Sequence, residues 1–429
     1  MSGGQFGGGA GTAAIPYLVE DAADLNQVRN KPDAYYKLVS NINLGIPPYN
    51  MGKGWVPIAN FTGGFNGNGK KIFNLFINRP DTDYVGLFTT FTTTNTTDIA
   101  RAQIKDLALE NVDITGRDYV GAILGSYTIG DYQTSTMNNP AYSLFLRCSV
   151  QGIVRGRTYV GGLCGFFWWD ALSYTYYWDV AEDCFVDITI TPLPGGNYYG
   201  MMFGLIRDHW MAQYNYFYMH NCIAKGVLDK SQVASPTNVG ILCFHSQGSY
   251  FNATDCRYDK TTWVGATLAA NANGSVGLTT AEMTDPAKFA FMSSRSYNGI
   301  PTWSYFAGRY PELYHCSPDY LFVCGDNGYY TYIPGTGWVK QYDTVPGRQQ
   351  AVDKGMRHIE YIPQTAWDFF KTHGDPYVVN IMDKSDSLSI YETPFNFAKD
   401  TANSNSSKTI YRKEMTFNSY GGNLATINI

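Results

Sequence analysis

The chain has 429 residues, a formal net charge of −5 and 44 glycines, with 16% charged and 16% aromatic residues. This length can bury a sizeable core. So few charges together with so many aromatic residues argue against a disordered chain and against a coiled coil. Because no basic cluster accompanies the acidic balance, nucleic acid is not an expected partner.

The start of the chain has no basic region followed by an apolar run, so it does not resemble a secretory signal peptide. No run of about 18 apolar residues occurs, so we expect no membrane insertion. Residues 1–14 are Gly-rich and are expected to be flexible, as a disordered tail or as an attachment peptide that orders on a partner. The eight cysteines form no CxxC pair, which argues against zinc-ribbon and thioredoxin-like chemistry.

Residues 15–53 are expected to form an N-terminal cap. The text from Ile15 predicts a strand, a helix from Asp21 to about Asn30, and a second strand. A helix in this place would cover the first edge of a stack of strands. Residues 54–77 then combine short alternating apolar positions with glycine turns, which predicts the first coil of the stack.

A repeat organises the middle of the chain. Its Gly-rich apolar words begin at residues spaced 35, 40, 40 and 39 apart: Tyr84–Phe88, Tyr119–Gly125, Tyr159–Gly165, Tyr199–Gly204 and Asn238–Phe244. Each unit has too little apolar surface to fold alone, so successive units must stack.

The additional length of each unit follows the first word: Thr89–Arg101, Ser126–Tyr142, Phe166–Val180, Leu205–Phe217 and His245–Asn252. Insertions at one corner lie on one face of a solenoid, which is often the face that binds. A second apolar word then returns: Ile104–Gly116, Leu146–Gly156, Ala181–Ile190, His220–Leu228 and Thr254–Asp259.

Four second words carry a cysteine in register: Cys148, Cys184, Cys222 and Cys256. Parallel strands lie about 4.8 Å apart, so these thiols are predicted to form an internal ladder with a packing role and no metal or redox role. Cys164 and Cys243 occupy equivalent places in the first words of units three and five. We expect Met202 to lie between them, which would prevent their pairing.

The word Tyr159–Gly165 and the second word Leu146–Gly156 resemble the GLUG repeat family. Its usual first coil is similar to residues 61–77, and its usual closing segment is similar to Gly277–Tyr314. The resemblance covers roughly residues 15–315. It implies an all-β, right-handed parallel β-helix over residues 54–315, of the kind found in bacterial surface adhesins and phage structural proteins. It implies no catalytic set and no cofactor.

The insertions of units three and four, Phe166–Asp179 and Arg207–His220, depart from that pattern in their aromatic density. The rings could pack on each other, on the flank of the β-helix or at a subunit contact. Alternatively, exposed rings could stack on sugar or grip a protein partner. The ligand-binding candidates are Trp168, Trp169, Tyr174, Tyr176, Tyr177, Trp178, Trp210, Tyr214, Tyr216 and Tyr218.

Parallel β-helices also host polysaccharide lyases and glycosidases, which need two suitably placed carboxylates or a base with a charge neutraliser. The candidates are Asp170, Asp179, Glu182, Asp183, Asp208 and His209. Glu182 and Asp183 flank the Cys184 strand at positions typical of ordinary corner residues, and Asp208 and His209 form only a dipeptide. We therefore expect no catalysis and no metal.

After Tyr314 the sequence changes character. Within residues 316–375, Ser317–Pro346 predicts an antiparallel meander and Gly347–Gly374 a helix. This layout resembles a small module of phage fibre and tail proteins. Residues 376–429 alternate like strands that could pair with another subunit.

Together these features predict a bacteriophage virion structural protein, a fibre, tail, spike or capsid decoration subunit that attaches to the host. Its expected partners are other virion proteins, further copies of itself in a homo-oligomer such as a trimer, and a host-surface glycan or protein. The alternatives are a bacterial surface adhesin and a depolymerase that acts on host polysaccharide.

Overall fold

The computed structural model of the chain describes residues 6–93, 103–129, 144–169, 177–208, 216–228, 233, 238–245, 250–262, 274–292, 295–297, 300–305, 310–313, 322–325, 328–333, 337–342 and 378–380. The chain divides into two units, which are Met1–Met292 with Tyr305–Cys316 and Ser293–Ser304 with Ser317–Ile429.

The first unit is dominated by short strands. In chain order these are β1 (Tyr17–Val19), β2 (Tyr36–Leu38), β3 (Ile42–Asn43), β4 (Phe65–Phe73), β5 (Phe76–Asn78), β6 (Phe88–Thr93), β7 (Ile104–Thr115), β8 (Asp118–Gly121), β9 (Leu124–Ile129), β10 (Phe145–Leu146), β11 (Ser149–Gly156), β12 (Thr158–Gly161), β13 (Cys164–Trp169), β14 (Tyr177–Glu182), β15 (Phe185–Pro192), β16 (Phe203–Asp208), β17 (Tyr216–His220), β18 (Ile223–Leu228), β19 (Cys243–His245), β20 (Tyr250–Thr254), β21 (Arg257–Asp259) and β22 (Val276–Leu278). The helices are α1 (Ala22–Gln27) and α2 (Thr280–Met283), with 3-10 turns at Val28–Asn30 and Pro286–Met292.

These strands form a parallel β-solenoid. One turn of the chain runs through β8, β9, β10 and β11, and the next runs through β12, β13, β14 and β15. Each strand pairs in parallel with the corresponding strand of the next turn, as β11 does with β15 over eight consecutive positions. The all-β parallel solenoid expected from the repeat is therefore confirmed.

The solenoid has three main sheet faces. One carries the order β6-β9-β13-β16-β19. A second runs β7-β10-β14-β17-β20, and a third runs β7-β11-β15-β18-β21-β22; the two share the long strand β7. The short strands β8 and β12 begin two consecutive turns and pair with each other.

Parallel pairing begins within the segment assigned to the cap, where β1 pairs with β2 and β2 pairs in turn with β4 of the first coil. Helix α1 starts at Asp21, whose side chain accepts hydrogen bonds from the Ala23 and Asp24 amides at 2.9 Å. Leu25 and Val28 bury its apolar face.

The Gly-rich segment was expected to be flexible, yet from Phe6 onward it is tied to the first strands. The Gly7 amide donates to the Leu18 carbonyl at 2.9 Å, and the Leu18 amide donates to Gly8 at 3.0 Å. The Phe6 ring stacks on Tyr17 with centroids 4.7 Å apart. Because glycine has no Cβ, a Gly-rich segment can lie this close to a strand and form hydrogen bonds with the N–H and C=O groups of its edge.

Two columns of equivalent side chains fill the core. The predicted cysteine ladder is confirmed: the strand registers place Cys148, Cys184, Cys222 and Cys256 one turn apart, and all four are free and buried. The second column is aromatic and was not predicted. It contains Phe61, Phe91, Tyr127 and Phe167, with neighbouring centroids 5.0–5.8 Å apart. Phe217, from the next sheet, packs edge-on against Phe167 at 5.6 Å.

The register of the fourth turn corrects the sequence alignment by one residue. Tyr199 pairs with Val160 and Val239, so Tyr198 is the structural equivalent of Tyr159. Phe203, and not Met202, lies between Cys164 and Cys243. Two adjacent tyrosines made either alignment possible from the sequence, and only the backbone pairing distinguishes them.

The corner near the start of each second word is a left-handed residue. Asp106, Arg147, Asp183, Asn221 and Asp255 have φ values of 50–57°. Because this conformation is costly for most side chains, its recurrence one turn apart shows that the corner is built into every turn. Asp183 is thus a corner residue, as its position in the sequence indicated.

The second unit contains the strand pair β23 (Ser296–Tyr297) and β24 (Ile300–Pro301) and the strand β25 (Trp303–Ser304); β26 (Glu312–Leu313) belongs to the first unit. It also contains an antiparallel sheet in the order β29-β28-β27-β30. Its strands are β27 (Phe322–Gly325), β28 (Gly328–Ile333), β29 (Gly337–Tyr342) and β30 (Val378–Asn380). Strand β30 pairs within this chain, with β27. The later residues that could pair with another subunit lie outside the described residues. The predicted helix over residues 347–374 lies outside the described residues.

A buried carboxylate fastens the last turn of the solenoid. Asp259, at the end of β21, accepts hydrogen bonds from the Thr261 amide at 2.7 Å, the Thr262 amide at 3.3 Å, the Thr280 hydroxyl at 2.7 Å and the Tyr310 hydroxyl. Burial acts to raise the pKa of Asp259, but these hydrogen bonds outweigh it and leave the pKa below its usual value.

We expect Asp259→Asn to lower the free energy of unfolding by about 2 kcal/mol at neutral pH, because an amide nitrogen cannot accept the hydroxyl hydrogen bonds. Since the folded pKa lies below the unfolded one, this contribution is present above about pH 4 and is lost as the pH falls through the folded pKa. Denaturant unfolding at a series of pH values measures it. Asp285→Asn, at an exposed position, is the control, and an equal loss in both variants would contradict the prediction.

Candidate functional site

Strands reach farther into the aromatic insertions than the sequence suggested. Strands β13 and β14 extend into the insertion of unit three from its two ends, and β16 and β17 do the same in unit four. The described ends of the two insertions therefore lie on paired strands, β13 with β16 and β14 with β17.

The aromatic candidates divide by what the structure describes. Trp168 and Tyr218 are placed with their side chains, and both are half-buried. Four more have a described backbone, in register with a neighbouring turn: Trp169 with Asp208, Tyr177 with Tyr216, and Trp178 with Phe217. The remaining aromatic candidates lie outside the described residues: Tyr174, Tyr176, Trp210 and Tyr214. The acid–base candidates Asp170 and His209 also lie outside them.

Trp168 lies on the outer side of its sheet, in register with Thr128 on one side and Arg207 on the other. Its ring is 6.3 Å from that of Phe166, centroid to centroid. Arg207 is exposed. Because of this register, the Thr128 hydroxyl, the Trp168 indole and the Arg207 guanidinium lie in one row across three turns. We call this row, Thr128, Trp168 and Arg207, the tryptophan row.

Next to this row is a stack of tyrosines on the outer surface. The rings of Tyr84, Tyr119, Tyr159 and Tyr198 follow one another with centroids 4.5, 4.8 and 5.1 Å apart and interplanar angles of 8–22°. Each of these residues has a φ of 58–67°. Phe166 packs against Tyr119 and Tyr159 at 5.5 and 5.0 Å.

The stack covers the faces of its inner rings, so those rings present only their edges and hydroxyls to solvent. Stacking on a sugar requires an open ring face. Burial, together with the neighbouring Tyr84 and Tyr159, raises the pKa of Tyr119 to about 12, so its hydroxyl stays neutral at physiological pH. We conclude that the tyrosine stack stabilises the solenoid.

Ion pairs between consecutive turns lie next to the stacked tyrosines in the sequence. The Arg117 guanidinium contacts both oxygens of Asp83 at 2.7 and 2.6 Å, and Arg157 makes the same two-point contact with Asp118 one turn later. The hydrogen bond from Arg117 is the largest cause of the lowered pKa of Asp83. These paired charges hold consecutive turns in one register.

A second cluster lies where β14 and β17 leave the insertions. Nε2 of His220 is 3.0 Å from Oδ1 of Asp179, and the Tyr218 ring is parallel to the imidazole within 8°, with centroids 5.6 Å apart. Of the acid–base candidates, Asp179 is the one that the structure brings beside a histidine. Glu182 lies opposite His220 in the strand register. The side chain of Asp208 lies outside the described residues.

Three of the buried thiols, those of Cys148, Cys164 and Cys222, are poor nucleophiles. Burial raises the pKa of Cys148 and Cys222, with a further contribution from hydrogen bonding to Cys184, and it raises the pKa of Cys164 to about 12. Among the residues that the structure describes, no group of three or more His, Cys, Asp or Glu side chains is placed to hold a metal ion.

Sequence reasoning identified Asp179 and Tyr218 but missed His220 and Asn252, which follow in the same sheet. The signal was present: aligning the turns 34–39 residues apart places His220 between Glu182 and Thr254, and Tyr218 between Asp179 and Asn252. It was missed because the insertions were treated as loops, in which no register exists.

The fold and these surfaces define a parallel β-solenoid protein whose turns carry insertions. No family model matches the chain. It is 34% identical to halomucin of Haloquadratum walsbyi over 168 residues, which cover 37% of this chain and 2% of halomucin. It is 45% identical over 89 residues to a "Putative Gly-rich membrane protein" of Evansella cellulosilytica, covering 19% of this chain and 10% of that protein. The chain thus matches only a small part of either relative.

Among solved structures, the chain is similar to the crystal structure of a "putative immunoglobulin A1 protease" from Bacteroides ovatus, with a TM-score of 0.41 and 15% identity over 74% of this chain and 97% of that one. A likeness this low supports no inference about activity. No helix in the described part of the chain is long and apolar enough to cross a membrane.

The tyrosine stack can be tested by its neighbours. We expect Tyr119→Ala to lower the free energy of unfolding by about 2 kcal/mol, because the ring loses contacts on both faces. Tyr119→Phe keeps those contacts and should be nearly neutral. Tyr84→Ala, at the end of the stack, should cost less. Denaturant unfolding compares the three, and equal losses in both alanine variants would contradict the stack's role.

Proposed function

We propose that this protein is a structural rod that attaches to a surface glycan or protein through the insertion side of its solenoid. The observation that carries the proposal is the tryptophan row: an indole beside an exposed guanidinium, held on a rigid sheet next to two aromatic insertions. Tryptophan and arginine are the residues that most often dominate binding surfaces. Sheet residues hold such groups more firmly than free loops do.

The finer fold assignment belongs to the same proposal. The Gly-rich words support membership of the GLUG-repeat solenoids and a right-handed coil, since nearly all parallel crossovers have that hand. Helix α1 would act as the N-terminal cap, because its buried Leu25 and Val28 face the first turn. The antiparallel sheet of the second unit would be the C-terminal module.

The proposed setting is a bacteriophage particle, with this chain as a fibre, spike or decoration subunit that contacts other virion proteins and further copies of itself, as in a trimer. The support is the resemblance of the repeat and of the residues after Tyr314 to phage structural proteins. Attachment would proceed without turnover of the ligand. Purified particles should contain the chain at stoichiometric copy number, and its absence from them would refute this setting.

A cell-surface adhesin is the second candidate. The relative named as a Gly-rich membrane protein favours it, since that name places a related sequence at a membrane. Immunolabelling of intact producing cells separates the two settings: surface label without particles supports the adhesin, and label confined to particles supports the virion protein.

We expect Trp168→Ala to weaken binding to intact host cells by about tenfold, because removing a large aromatic anchor from a binding surface commonly costs more than 1 kcal/mol. Flow cytometry with labelled protein measures this. Val227→Ala is the matched control, since Val227 is also apolar and 46% exposed but lies on β18. Unchanged binding by folded Trp168→Ala would make the tryptophan row a packing feature.

A further inference from the structure

We propose that the outer face of β14, β17 and β20 is a saccharide-binding face that takes an uncharged pyranose chain. Its contacts would come from Asp179, Tyr218, His220 and Asn252. This inference rests on the proposed attachment function and gives it a ligand class and a second set of residues, distinct from the tryptophan row.

The strand register arranges these side chains as a grid. Asp179, Tyr218 and Asn252 form one row across three turns, and Glu182, His220 and Thr254 form the next. The residues that alternate with them face the core and are buried: Phe217, Met219, Phe251 and Ala253. The grid is therefore the solvent side of a sheet whose inner side is fully packed.

Contacts within the grid fix the orientation of its groups. The His220 imidazole is held between the Asp179 carboxylate, 3.0 Å away, and the parallel Tyr218 ring. The Thr254 hydroxyl donates to Oδ1 of Asn252 at 3.2 Å, which fixes the orientation of the Asn252 amide, whose nitrogen is a hydrogen-bond donor. The His220 and Asp179 side chains keep 31% and 17% of their surface exposed.

A local irregularity brings the carboxylate to the histidine. The pairing of β14 with β17 shifts between Asp179 and Ala181, which is the signature of a β-bulge. Bulges bend a strand and re-aim its side chains, and they are common beside functional sites. Here the bulge lets Asp179 contact His220. The register partner of Asp179 is Tyr218, and His220 lies two residues farther along β17.

The chemistry of the grid matches an uncharged sugar. Sugar hydroxyls both donate and accept, so they can satisfy a carboxylate, an imidazole and an amide together. Successive strands lie about 4.8 Å apart, close to the length of one pyranose ring, so equivalent groups would meet successive sugars. Asp179 and Glu182 would repel uronic or sialic acids. Three tyrosines, Tyr177, Tyr216 and Tyr250, share a register position on the insertion side of the grid.

The test is an array of defined oligosaccharides with neutral hexose, N-acetylhexosamine and acidic members, probed with the full chain. We expect retention on uncharged members. Asn252→Ala and Tyr218→Ala should each weaken it about tenfold, the effect of losing one hydrogen bond or one ring contact in a bound complex. Tyr218→Phe should retain binding because it keeps the ring.

Asp187→Asn is the matched control, since Asp187 pairs with Lys225 at 2.8 Å on a different face and its loss should leave retention unchanged. Circular dichroism of each variant separates a lost contact from a lost fold, and Asn252→Ala carries the test if Tyr218→Ala unfolds. The proposal is overturned if the wild-type chain is retained nowhere or equally on acidic members, or if folded Asn252→Ala behaves like Asp187→Asn. Array retention without binding to host cells would instead refute the proposed attachment function alone.

Discussion

Rung-to-rung register is the constraint on which the rest of this structure depends. A parallel sheet puts every residue directly over its equivalent in the previous turn. The side chain at each position must therefore pack against the equivalent side chains of the turns before and after it. The chain meets this demand with columns of like residues, such as the thiols from Cys148 to Cys256 and the rings from Tyr84 to Tyr198. Small thiols and flat rings repeat in this way without voids or clashes.

Much of this could be predicted because a solenoid writes its register into the sequence. The spacing of the Gly-rich words and the in-line cysteines was enough to predict a parallel stack and the cysteine ladder. The insertion boundaries could not be predicted, since tyrosine and tryptophan suit a strand as well as a binding loop. The shift at Tyr198 was equally hidden, because Tyr198 and Tyr199 offer two registers of almost equal quality.

The aromatic residues of the insertions prove to have more than one role. Phe167 belongs to the core column and Phe217 packs against it, Phe166 supports the tyrosine stack, and Trp168 stands beside an exposed arginine. Polar partners decide which of these surfaces can recognise a ligand, because apolar area alone gives little specificity. His220 and Asn252 supply such partners on the neighbouring face, and neither was singled out by composition or motif.

Among the described residues, most ion pairs between turns also have a direction, and Lys71 with Glu110 runs the opposite way. In several of them the acid lies one turn before the base: Asp83 with Arg117, Asp106 with Arg147, Asp113 with Arg155, Asp118 with Arg157, and Asp187 with Lys225. A cut between two such turns would therefore leave carboxylates on the N-terminal fragment and cations on the C-terminal fragment. The two fragments would attract each other at low ionic strength and would favour end-to-end reassociation in the native polarity over joining of like ends.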